Sequence, residues 1–215
     1  MSTIFLIPGL GADQRSYQHI DLADNDIIHV KWLEPGKQDT LSTYAQKLIE
    51  KNEIRPGSIV IGNSLGGMLA IEIAKKVELN KVILISSIKT VNEAPSRFKW
   101  YRYIPIYRIL PAKWLTPLGT LFIPTMGKMS KHHRELFVSM LRNTSPVFVK
   151  WAMGAILHWK NQTIPQNVYH IIGDKDRVFP YNKIKGAAIV EGGTHIMIFN
   201  KAKLINTWLK EILQH

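Results

Sequence analysis

Ser64 lies between Gly62 and Gly66 in Gly-Asn-Ser-Leu-Gly, and the chain changes character at that serine. Ahead of it, Ile59-Val60-Ile61 is apolar and β-branched and follows Pro56-Gly57-Ser58, the pattern of a fully buried strand. Behind it, Leu65, Met68, Leu69, Ala70, Ile71, Ile73 and Ala74 are apolar on nearly every side, the pattern of a buried helix. A serine on so sharp a strand-to-helix turn is held in a strained backbone conformation and needs small neighbours. Its hydroxyl then stands at a helix N-terminus, where free N–H groups stabilise an anion. The bland alternative is a tight turn in which Ser64 only caps the helix.

A serine hydroxyl is a poor nucleophile at neutral pH. It needs a base, usually histidine, and the imidazole in turn needs an acceptor that fixes its tautomer. Of the eight histidines, His29 and His170 fall within strand patterns and His19 ends a short helix. His132, His133 and His158 sit in helical sequence, and His215 is the terminus. Only His195, in Gly192-Gly193-Thr194-His195, follows the end of a strand. Two acids in Gly173-Asp174-Lys175-Asp176, directly after another strand, can serve as acceptor, and residue type alone leaves both open. Ser86 to Asn92, after the strand before that one, holds no acid, and Glu93 is the first.

These groups have to be carried by a layered scaffold. Strand patterns fall at Ile4 to Ile7, Ile27 to Val30, Ile59 to Ile61, Val82 to Ile85, Val168 to Ile172 and Ala187 to Val190. A short helix from about Gln14 to Ile20 follows Asp13 as its cap. A longer one shows Leu41, Tyr44, Ala45, Leu48 and Ile49 on one face, and a last one starts near Lys201. Short strands separated by helices demand crossover connections. The expected fold class is therefore α/β, a mostly parallel six-stranded sheet with helices on both faces. In such sheets functional residues gather at the carboxyl ends of the strands. From about Lys89 to Pro165 strand patterns vanish and prolines recur at 95, 105, 111, 117, 124 and 146, which reads as a helical insertion. Ser130 and Ser145-Pro146 are helix starts within it.

A chain of 215 residues, 46% hydrophobic, fits one core with an insertion better than two independent domains. It has no cysteine, which excludes disulfide and thiolate chemistry. No run is long enough for a membrane span or a signal peptide, so the expected location is the cytoplasm. The net charge of +12 is uneven: from Arg97 to Lys160 eleven basic residues face Glu135 alone. The plain reading is a solvated basic surface. The functional readings are attraction of an acidic substrate or of an anionic membrane surface. No nucleic-acid module accompanies the charge. No metal site is expected, since there is no His-Glu-x-x-His and His132-His133 point apart on a helix.

The chain order Ser64, acid, His195, together with Gly-Asn-Ser-Leu-Gly and the Gly-x-x-Asp-x-x-x-Pro run ending at Pro180, resembles the α/β-hydrolase superfamily over nearly the whole chain. The resemblance implies an α/β-hydrolase core at residues 1–90 and 166–215, lacking the first two edge strands, and a helical lid at 91–165. It implies Asp176 as the acid, and the backbone N–H groups of Leu10 and Leu65 as an oxyanion hole. Pro8 before Gly9 and Thr194 before His195 depart from the family's pattern. The implied activity is cofactor-free hydrolysis of a carboxylic ester or thioester through an acyl-enzyme. The alternatives are a lyase or perhydrolase on the same side chains, or a non-catalytic ligand receptor. The expected partner is a small acyl substrate. Trp100, Tyr101, Tyr103, Tyr107, Trp114 and Trp151 suggest an apolar group beneath the lid, and Arg102 and Arg108 an anionic or lipid-like one.

Overall fold

The computed structural model describes residues 3–22, 25–104, 111, 114, 120 and 123–214. Six strands form one sheet: β1 (Ile4–Ile7), β2 (Ile27–His29), β3 (Ile59–Asn63), β4 (Lys81–Ile85), β5 (Val168–Gly173) and β6 (Ala188–Val190). Their order is β2-β1-β3-β4-β5-β6, and every neighbouring pair is parallel. The apolar runs have no polar alternation because both faces are covered. Ile4, Leu6, Ile59, Ile61, Ile83 and Ile85 pack with Ile205 and Leu209 of the last helix, α8 (Ala202–Gln214). Phe5, Ile7, Val60, Val82 and Leu84 pack on the other face against Leu41, Tyr44 and Leu48 of α1 (Leu41–Asn52) and Met68 and Leu69 of α2 (Leu65–Ala74). Thr40 starts α1 with a reciprocal capping box to Thr43.

Between β4 and β5 the regular elements among the described residues are a 3₁₀ turn (Val91–Glu93) and the helices α3 (Arg97–Tyr103), the single turn α4 (Ile123–Met126), α5 (Lys131–Asn143) and α6 (Pro146–Leu157). Ser130 accepts from the His133 N–H and Ser145 from that of Phe148, with Pro146 in the first turn of α6, where its missing N–H costs nothing. A further turn, α7 (Met197–Asn200), precedes α8. Among the described residues no helix is long and apolar enough to cross a membrane.

Three expected elements are shorter than their patterns, β6 by one residue, since it starts at Ala188 and not Ala187. The helix from Gln14 is one 3₁₀ turn, Gln14–Tyr17, because Tyr17 turns its ring inward and bonds the Ile7 carbonyl at 2.8 Å. Strand β2 stops at His29, although the Val30 N–H still reaches the Leu6 carbonyl at 3.0 Å. The strand order reverses between β1 and β3: β1 is followed by β2 on one side, and β3 crosses back to the other. Open parallel sheets usually place their ligands at such a reversal, outside the carboxyl ends of the two strands.

Candidate active site

Directly after β3, at the reversal, Ser64 has φ 53 and ψ −115, a conformation L residues rarely adopt. Close approach explains its small neighbours. A Cβ on Gly62 would lie 2.2 Å from the Gly66 carbonyl oxygen, and one on Gly66 would lie 2.1 Å from that of Ile7. The elbow is fixed from outside as well: the Ser64 N–H donates to the Ile85 carbonyl at 3.0 Å, and the Ser87 hydroxyl donates to the Ser64 carbonyl at 2.6 Å. Ser64 is partly exposed, whereas the strand before it and the helix after it are buried.

The structure brings Ser64, His195 and Asp176 together. Ser64 Oγ lies 2.9 Å from His195 Nε2, and His195 Nδ1 lies 2.9 Å from Asp176 Oδ2. An ionised carboxylate only accepts, so Nδ1 carries the ring proton and Nε2 is left to accept from the serine hydroxyl. Asp176 Oδ1 takes the N–H groups of Val178 at 2.8 Å and Phe179 at 2.9 Å, which fixes the carboxylate. Both side chains are buried, and the Phe179 ring meets the imidazole edge-on at 5.4 Å between centroids.

The acid and imidazole loops are clamped side by side. A Cβ on Gly173 would fall 2.1 Å from the Gly193 carbonyl oxygen, and that oxygen accepts from the Lys175 N–H at 2.9 Å. Asp174 is turned away: its N–H bonds the Val190 carbonyl at 3.2 Å and its carboxylate pairs with Lys175 at 3.4 Å.

Leu10 lies in the loop that crosses over Ser64. A Cβ on Gly9 would be 3.4 Å from the Ser64 Cβ, and the loop is closed by an Ala12 N–H bond to the Gly9 carbonyl at 3.0 Å. Leu65 is the first residue of α2. Among the described residues neither of these two N–H groups donates to a protein acceptor. Two supports escaped the sequence reading. Trp32 Nε1 donates to the Ala12 carbonyl at 2.9 Å, and the Tyr17 hydroxyl bridges toward the ends of β1 and β3. Burial drives the Tyr17 phenol far above its ordinary pKa, so it stays a neutral donor. Both contacts are long-range, and an isolated aromatic in a loop gives no local signal of them.

The aromatic residues of the helical segment behave differently from a lining. Trp100, Tyr101, Tyr103 and Trp114 are exposed, and Trp151 packs on Tyr44 at 4.4 Å with its Nε1 on the Asp39 carbonyl. Arg102 bonds the carbonyls of Leu157 and Trp159, while Tyr107 and Arg108 lie outside the described residues. Among the described residues no cluster of three or more histidines and acids is arranged to hold a metal ion.

A profile of the alpha/beta hydrolase family matches residues 4–206. The chain belongs to that family. No curated protein sequence matches it. Solved alpha/beta hydrolase relatives share the fold at low identity. An esterase from Thermogutta terrifontis superposes with a TM-score of 0.72 at 16% identity, covering 99% of this chain and 90% of its own. A hydrolase from Pseudomonas aeruginosa gives 0.75 at 15%, covering 100% and 90%. The enol-lactonase of Burkholderia xenovorans gives 0.72 at 17%, covering 100% and 92%.

Proposed function

We propose that this alpha/beta hydrolase is a serine hydrolase that cleaves carboxylic esters or thioesters through an acyl-enzyme. The observation that carries the reading is the unbroken relay from Ser64 Oγ through the imidazole of His195 to Asp176, both links 2.9 Å, on a serine held at positive φ. Ser64 attacks the acyl carbon while His195 Nε2 takes its proton. The negative oxygen of the tetrahedral intermediate sits against the N–H groups of Leu10 and Leu65, donors of a kind that lower such barriers by about 3 kcal/mol each. The imidazolium, steadied by Asp176, returns its proton to the departing alkoxide or thiolate. Water, deprotonated by the same imidazole, then releases the acid and regenerates Ser64. In this reading residues 1–90 and 166–215 are the catalytic core and 91–165 a lid, and no cofactor takes part.

A panel of p-nitrophenyl esters of increasing acyl length tests the proposal. The unmodified protein should release nitrophenolate in a steady state, and Ser64→Ala should lose more than about 10⁴-fold of that rate. Absence of turnover across the panel, with the protein folded, would favour a lyase or a receptor built on the same fold.

A further inference from the structure

Helix α3 shows two unlike faces. Inward, Phe98 meets the Phe179 ring at 6.3 Å between centroids, and Arg102, one turn later, is tied to main-chain carbonyls of the α6 end. Outward stand Lys99, Trp100, Tyr103 and the following Ile104. Trp100 is 71% exposed, Tyr103 84% and Ile104 59%, three large apolar side chains grouped at the end of one short helix. Its surroundings are cationic. Arg97 bonds the carbonyls of Arg177 at 2.6 Å and Val178 at 2.9 Å, and the Lys183 ammonium donates to the Ser96 hydroxyl at 2.9 Å. The exposed Arg177 and Lys183 therefore flank the helix start. The acids of the two flanking segments are committed elsewhere: Glu93 is buried on Lys89, Asp174 pairs with Lys175, and Asp176 holds His195.

We propose that this face docks the protein on an anionic phospholipid surface, with Trp100, Tyr103 and Ile104 entering the headgroup boundary and Lys99, Arg177 and Lys183 on the phosphates. Tryptophan and tyrosine suit that boundary because they join an apolar ring to a polar tip. Nearby lysines add attraction to acidic lipids, on the order of a five-fold gain each. A second copy of the chain is a poor occupant, because each carries +12. A nucleic-acid strand is a weaker fit, because the exposed Ile104 beside the rings matches an acyl boundary and has nothing to pair with on a base or a phosphate. The face borders the loop of Asp176, so docking would bring the candidate active site to the lipid.

The test is sedimentation of the full chain with vesicles of phosphatidylcholine alone and of phosphatidylcholine mixed with phosphatidylserine. The protein should pellet with the mixed vesicles only and be released as salt rises. Trp100→Ala/Tyr103→Ala should weaken partition by on the order of ten-fold, and Lys99→Gln/Lys183→Gln by roughly thirty-fold. Both variants should keep the melting temperature of the unmodified protein, and Ser64→Ala should bind like it, so the outcome is independent of the proposed chemistry. No pelleting with either vesicle, binding unchanged by the two double variants, or retention on a single-stranded oligonucleotide in preference to vesicles would overturn the proposal.

Discussion

At the scale of single residues, the question is which of two aspartates serves His195. They stand two positions apart on one turn and are equivalent in type, so the choice depends on contacts with the distant loop before His195. The Lys175 N–H on the Gly193 carbonyl and the Asp174 N–H on the Val190 carbonyl set the turn so that only Asp176 Oδ2 reaches the imidazole. Asp176→Asn keeps the shape but offers an amide that stabilises the wrong ring tautomer. Its kcat should fall by about 10⁴-fold. Asp174→Asn should stay close to the unmodified rate in the same ester assay. The opposite ranking would reassign the acceptor. Ser64 itself was legible in the sequence, because the switch from buried strand to buried helix occurs at a serine with glycines on both sides.

At the scale of elements, the site depends on backbones that nearly touch. Gly66→Ala would put a methyl carbon 2.1 Å from the Ile7 carbonyl oxygen, where only backbone can move. Urea denaturation should show a loss of about 3 kcal/mol or more, with activity falling as Ser64 shifts. Gly57→Ala is the control: it has φ 81 but open space around it, so it should cost only about 1 kcal/mol and leave activity unchanged. Equal losses at the two positions would mean that backbone strain, not close approach, fixes the elbow. The strands were legible because burial on both faces leaves uninterrupted β-branched runs. Their ends were not, because Gly62, Asn63 and Gly173 complete β3 and β5 through ladder hydrogen bonds that composition does not advertise. The last helix begins at Ala202, next to the expected start at Lys201, whereas the turn Met197–Asn200 before it, with Ile196 to Phe199 buried, carried no cap or periodic signal.

At the scale of the whole molecule, parallel topology followed from the alternation of strands and helices, but the strand order, and with it the reversal between β1 and β3, depends on packing that one-dimensional patterns do not contain. His170 on β5 is buried beside the Ser87 backbone and Lys89. Burial, with Lys89 nearby, pushes its pKa down to about 3. The unfolded ring, with its ordinary pKa of 6.5, takes up a proton at pH values where the folded ring stays neutral. Stability contributed by this site is therefore complete above about pH 6.5 and falls as pH drops toward 3. From pH 8 to pH 5 the loss should be about 2 kcal/mol in urea unfolding. His170→Leu should remove that part of the slope. An unchanged slope in the variant would show that other groups govern acid sensitivity.

The central claim is that Ser64 is a nucleophile made reactive by its neighbours, and a fluorophosphonate that phosphonylates activated serines tests it most directly. Incubation followed by peptide mass mapping should place a single adduct on Ser64, with labelling abolished in Ser64→Ala and strongly slowed in Asp176→Asn. A folded, unmodified protein that takes up no label, or takes it up on another residue, would contradict the account.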